Sequence, residues 1–121
     1  MELKRIDGLF SVCKVASLDA ARLSDDFCFI GKTDEELSLV CLTDRVPPDA
    51  AAREDGWRAF RIGGVLDFSL VGVLAPIIDA LAEARIGIFA VSTFNTDYVL
   101  VKAAQFDRAM EVLAGRGYTV V

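Results

Sequence analysis

Apolar residues in the second half of the chain change their spacing several times, and each change predicts an element. Trp57-Arg-Ala-Phe-Arg-Ile62 is short, aromatic and β-branched and ends at Gly63-Gly64, which predicts a strand. Asp67-Phe-Ser69 offers N-cap residues, and Val71, Leu74, Ile78 and Leu81 then recur at spacings of three and four, so a helix is expected near 68–84. Pro76 conflicts with the interior of such a helix. Either the helix starts late, with Pro76 in its first turn, or it kinks there. The helix should stop near Arg85-Ile-Gly87. Ile88 to Phe94 and Asp97 to Lys102 read as two strands joined by a tight turn at Asn95-Thr96, a hairpin. Strand 88–91 is apolar on both sides, as if covered on both faces: one by helices, the other by a second sheet or a partner. Phe106, Ala109, Met110 and Leu113 fit a helix near 104–115, with Gly115 and Gly117 for its C-cap and Tyr118 to Val121 as a last strand. The order β-α-β-β-α-β is the ferredoxin-like arrangement of an α+β fold.

The first half is a thinner version of the same order. Leu9 to Val15 reads as a strand, residues 16–25 hold at most one helical turn, and Phe27 to Gly31 with Leu37 to Leu42 reads as a hairpin. Pro47-Pro48 breaks the chain, and the polar, Ala-rich run Asp49 to Gly56 is expected to be connective. A weak internal repeat links the halves. Thr33-Asp-Glu-Glu36-Leu-Ser-Leu-Val40 matches Thr93-Phe-Asn-Thr-Asp97-Tyr-Val-Leu-Val101 with one residue deleted. The domains are therefore expected at 1–56 and 57–121.

Composition narrows the function. The 121 residues are 54% hydrophobic and 26% charged, enough for a packed core and too ordered in pattern for a disordered chain. The longest apolar run, Leu70 to Ile78, falls short of the ~18 residues a membrane helix needs. Asp7 sits where a signal peptide would place its apolar core, so a cytoplasmic protein without membrane contact is expected. The net charge is −5, and it resides in residues 1–56, with seven basic and twelve acidic side chains; residues 57–121 hold six of each. That balance argues against nucleic acid, whose phosphates need Lys and Arg. The chain has no His, which removes the commonest general base and metal ligand. Cys13, Cys28 and Cys41 follow no Cys-x-x-Cys pattern and lie in apolar stretches, as buried free thiols would. No catalytic residue, metal or cofactor is expected.

Two stretches can carry binding chemistry. Gly63 to Ser69, between strand and helix, can either present backbone N–H groups to an anion at a helix N-terminus or simply turn the chain and cap the helix. Ser92-Thr93-Phe94-Asn95-Thr96-Asp97 offers three hydroxyls, an amide and a carboxylate. Turn chemistry accounts for Asn95 and Thr96 but does not require Ser92, Thr93 and Asp97 as well. Side by side, the two stretches would offer N–H groups to a carboxylate and Asp97 to an amine, the two needs of an α-amino acid. Asp67 would oppose the carboxylate unless it faced a basic ligand side chain. The acidic run Asp34-Glu-Glu36 reads as solvated turn residues rather than a cation site.

Residues 57–74 and 88–102, with Lys32-Thr33-x-x-Glu36-Leu-Ser-Leu-Val40, resemble a bacterial tandem ACT-domain family. That family is distantly similar to CASTOR-type cytosolic arginine sensors and to aspartokinase regulatory domains. The resemblance implies two ACT units, the first degenerate and without a proper first helix. It also implies effector binding where ACT units meet, and homodimers formed by side-by-side pairing. In the sensor-type relatives the effector contacts the loop after the first strand and the Ser/Thr-x-x-x-Asp hairpin. Carried onto this chain, those contacts are Gly64, Asp67, Thr93, Phe94 and Asp97. The expected function is a non-enzymatic, amino-acid-binding regulatory module. The alternative is an interaction module that dimerises through ACT surfaces around a vestigial pocket.

Overall fold

The computed structural model describes all 121 residues. Seven strands and two α-helices follow in the order β1 (Glu2–Lys14), β2 (Cys28–Lys32), β3 (Leu37–Leu42), β4 (Ala52–Ile62), α1 (Ala75–Glu83), β5 (Phe89–Ser92), β6 (Asp97–Lys102), α2 (Ala103–Gly115) and β7 (Thr119–Val120). A single 3-10 turn, Thr43–Arg45, follows β3. Contacts divide the chain into two compact units: Gly8–Trp57, and Met1–Asp7 together with Arg58–Val121. Met1–Asp7 thus packs with the second half of the chain, not with the first as the 1–56 boundary would have it.

In the unit of Met1–Asp7 and Arg58–Val121 the strands run β7-β1-β4-β6-β5. β1 and β7 are parallel, with Leu3 opposite Val120, and β5 and β6 form the antiparallel hairpin with Ser92 opposite Asp97. The ends of the β1–β4 ladder meet where Gly63 N–H donates to Glu2 O at 2.8 Å. The sequence reading began β1 at Leu9 and missed residues 2–7. Leu3 and Ile6, both buried, are three positions apart, so in an extended chain they face opposite ways and leave no period-two signal. The core of this unit covers one sheet face. Leu3, Phe60, Ile62, Val99 and Val101 from the strands meet Ile77, Ala80 and Leu81 of α1 and Phe106, Ala109, Met110 and Leu113 of α2. A fully buried Phe106 or Leu113 contributes roughly 1.5–3 kcal/mol through burial alone.

Helix α1 begins at Ala75, not near 68. Gly72 takes φ 70°, which turns the chain just before it, and Pro76 occupies the first turn, where its missing N–H costs nothing. Val71, which fits the helical period by sequence, therefore precedes the helix and is 91% exposed. Both helices end in the same six-residue closure. In α2, Gly117 N–H donates to Ala114 O and Tyr118 N–H to Leu113 O; in α1, Arg85 N–H donates to Ala82 O and Ile86 N–H to Leu81 O. Gly117 (φ 97°) suits the left-handed residue of this motif, whereas Arg85 (φ 61°) fills it at a cost.

The unit of Gly8–Trp57 has no α-helix. Its strands run β2-β3-β1-β4, with Phe10 opposite Leu42 and Cys28 opposite Cys41. Cys13, Val15, Leu39 and Cys41 form its small core, with Leu18, Ala21, Val46 and Ala50 packed against it. Residues 52–56, expected to be connective, are strand. Ladder pairing rather than burial holds them: Ala51 N–H donates to Lys14 O at 2.9 Å beside them, while residues 52–55 stay exposed. Ser11, fully buried, is satisfied by Asp55 Oδ1 at 2.5 Å and Thr43 Oγ1 at 2.9 Å.

Candidate functional site

The loop 63–74 and the hairpin turn 93–96 face each other across an open pocket of about 380 Å³. Two bonds fix their spacing. Leu66 N–H donates to Asn95 O at 2.7 Å, and the buried Thr96 hydroxyl donates to Ile62 O at 2.8 Å. Thr93 closes the turn with its N–H and its hydroxyl on Thr96 O, at 2.8 and 2.9 Å. These four bonds consume Thr93, Asn95 O and Thr96 in scaffolding, and leave the carboxylates and aromatic rings to face the pocket.

Of the five residues singled out by sequence, Asp67, Thr93, Phe94 and Asp97 line this pocket together, and Gly64 does not. Gly64 takes φ 81° at the start of the loop and turns it toward the hairpin. Asp67 accepts from the Ser69 N–H at 2.8 Å and the Ser69 hydroxyl at 2.7 Å. It therefore closes a local Asx turn and does not cap α1, as the sequence reading allowed. Those two bonds from Ser69 hold its carboxyl below the usual carboxylate range, so it is anionic at neutral pH. Asp97 accepts from the Ser92 hydroxyl at 2.6 Å, a single bond that leaves its remaining lone pairs available. Phe94 meets Phe68 edge-to-face, with ring centroids 4.9 Å apart.

Sequence reasoning missed Leu70 and Gly72 to Ala75 as lining residues, because it placed them in a helix. Pro76 was the available signal, since a late start frees the whole loop before it. The first turn of α1 forms part of the wall, and no side chain caps Leu74 at its N-terminus. The positive end of that helix faces the pocket from one wall, and the two carboxylates face it from others. No basic side chain lines it. No group of three or more Cys, Asp or Glu side chains is placed to hold a metal ion, and no helix is long and apolar enough to cross a membrane.

A ferredoxin-like α+β sheet bearing such a pocket is the architecture of a small ligand-binding domain. The chain belongs to the ACT domain family: the family model matches residues 52–115. A separate N-terminal-domain model matches residues 8–49. The chain is 43% identical over 61 residues to the human cytosolic arginine sensor for mTORC1 subunit 1, an alignment covering 50% of this chain and 18% of the sensor. It thus spans under a fifth of those curated relatives. The crystal structure of protein Atu0741 from Agobacterium tumefaciens superposes with a TM-score of 0.86 at 32% identity, covering 99% of this chain and 91% of that one. A structure of aspartokinase alpha and beta subunits shares the fold, with a TM-score of 0.62 at 17% identity over 93% of this chain and 95% of that one.

Proposed function

We propose that the chain is a non-enzymatic regulatory module that binds an α-amino acid in the pocket between loop 63–74 and the hairpin turn. The observation that carries this reading is the pairing of opposite needs in one cavity. Asp97 suits an ammonium group, and the positive end of α1 suits a carboxylate. The volume of about 380 Å³ is that of a small-molecule site. Asp67 adds a second anionic wall with no basic residue to balance it, so a basic amino acid fits better than a neutral one. The relatives named as arginine sensors support the same choice. A thermal-shift screen against the twenty amino acids tests it, because a ligand that binds only the native state raises the melting temperature. A rise with lysine or arginine, and little with leucine or glutamate, is expected. No rise with any of them would overturn the reading.

We also infer that the chain is a degenerate tandem whose boundary falls near 56–57, with Met1–Asp7 packed into the second unit. The support is local geometry: Thr33 N–H donates to Glu36 O at 2.9 Å as Thr93 N–H does to Thr96 O at 2.8 Å. The unit of Gly8–Trp57 has its own open hollow of about 450 Å³, walled by Ala16–Leu18 after β1 and by Lys32–Leu37. Its lost first helix makes it the degenerate member.

The second reading, an interaction module that dimerises with the pocket vestigial, is favoured by one observation. Val65, Phe68, Val71 and Phe94 around the pocket are 74, 75, 91 and 79% exposed, a concentration of apolar surface beyond the scattered residues normal on a monomer. Under either reading the chain works as a cytoplasmic homodimer. Sedimentation at tens of micromolar should show twice the 13.1 kDa chain mass, and a clean monomer would count against association.

A further inference from the structure

The three cysteines lie on three neighbouring strands of the unit Gly8–Trp57, with Cys41 on the central strand β3. Cys28 and Cys41 are direct partners across β2 and β3. The hairpin fixes what kind of partners they are. Thr33 N–H donates to Glu36 O, so that pair is hydrogen-bonded, and counting back along the unbroken register makes 28 and 41 a non-hydrogen-bonded pair. Cα atoms in such a pair are about 4.5 Å apart with side chains drawn together, inside the ~4.4–6.8 Å that a disulfide spans. Cys13 sits diagonally on the same face, two residues from the Ser11 that opposes Cys41, with its thiol in contact with that of Cys41. Cys13 and Cys41 are buried, and Cys28 is the partly exposed member.

We propose that Cys28 and Cys41 are an oxidation site, closing to a reversible cross-strand disulfide by exchange with a small-molecule disulfide. Cys28 loses its proton, and its sulfur attacks one sulfur of the oxidant, forming a mixed disulfide and releasing one small thiolate, which takes that proton. Deprotonated Cys41 then attacks the Cys28 sulfur, forming the Cys28–Cys41 bond and expelling the second small thiol. Two protein thiols are oxidised and the small disulfide is reduced to two thiols. Burial pushes both thiols up, Cys41 to about 12, so exchange is slow at neutral pH and quickens as pH rises.

The test incubates the native full chain with excess oxidised glutathione at about pH 8, alkylates the remaining thiols and digests with trypsin. Cleavage after Arg5, Lys14, Arg22, Lys32 and Arg45 puts the three cysteines in separate peptides, Ile6–Lys14, Leu23–Lys32 and Thr33–Arg45. The expected product links Leu23–Lys32 to Thr33–Arg45, leaves Cys13 alkylated, reverts with dithiothreitol and melts a few degrees higher than the reduced chain. The Cys13→Ala variant should form the same link. A glutathione adduct that stops at Cys28, a Cys13–Cys41 link, or no change in mass would each overturn the assignment.

Discussion

Asp97 and Thr96 are neighbours in the chain and do opposite work. The hydroxyl of Thr96 is spent on Ile62 O inside the unit, whereas Asp97 holds one bond, to Ser92, at the mouth of the pocket. Replacing Asp97 with Asn keeps its shape and removes its charge. If it pairs with a ligand ammonium, calorimetry with the amino acid found in the thermal screen should show about 30-fold weaker binding or worse. The melting temperature of the free protein should barely move, because surface changes usually fall within about ±0.5 kcal/mol. Asp67→Asn separates the two carboxylates: it should weaken basic amino acids and leave neutral ones unaffected. Equal affinity in wild type and Asp97→Asn would move the site elsewhere. A different residue sets the alkaline limit. Burial, then the neighbouring Cys13 and Cys28 thiols, push Cys41 up to about 12 from its ordinary 9.0. The unfolded chain sheds that proton near 9.0 and the folded chain does not, so between these values the unfolded state holds fewer protons. The stabilisation is complete below about pH 9 and drains away as pH rises toward 12. Urea titrations from pH 8 upward should therefore show stability falling, and falling less steeply in Cys41→Ala. Equal slopes would remove the thiol from the account.

The two helix ends are a controlled comparison within one molecule. They share the same pair of closing bonds, but one has Gly117 and the other Arg85 at the left-handed position. Arg85→Gly should stabilise the protein by about 1 kcal/mol, and Gly117→Ala should cost a similar amount. Chemical denaturation reads both, and a destabilised Arg85→Gly would mean that the arginine side chain matters more than its backbone. The elements also show what the sequence made legible. The helix α2, the strands β3 and β6 and the two hairpins followed from local spacing because their apolar faces are regular and their turns are polar. The start of α1 stayed open between two readings: Val71 and Leu74 fit a helical period by accident of spacing, while Pro76 allowed the late start that is observed. Residues 52–56 did not follow either, because an exposed strand held by its neighbours carries no hydrophobic alternation. The pocket was half legible. Thr93 and Asp97 stood out as chemistry that the turn did not require, and Asp67 and Phe94 came from the family resemblance, but the apolar wall was hidden inside the overlong helix.

At the scale of the whole molecule, the two ends of the chain meet in one unit. Thr119 N–H donates to Met1 O at 3.0 Å, Val121 N–H to Leu3 O at 2.9 Å and Arg5 N–H to Val121 O at 3.0 Å. Leu3, with no exposed surface, joins the same core as α1 and α2. Leu3→Ala should cost ~2–5 kcal/mol in denaturant unfolding, as a buried truncation does, although sequence alone places it in an unremarkable polar run. A loss below about 0.5 kcal/mol would mean that the first strand is dispensable. The sequence by itself determined the β-α-β-β-α-β order of residues 57–121, the thinner first half, the absence of His chemistry and the hairpin residues Thr93 and Asp97 that face the pocket, because spacing and turn chemistry are local. Only the tertiary structure decided that residues 2–7 form a strand between β7 and β4 and that the loop before α1 becomes a pocket wall. Those outcomes depend on ladder partners more than fifty residues away and on which face each strand turns to the core, and no window of neighbouring residues contains either.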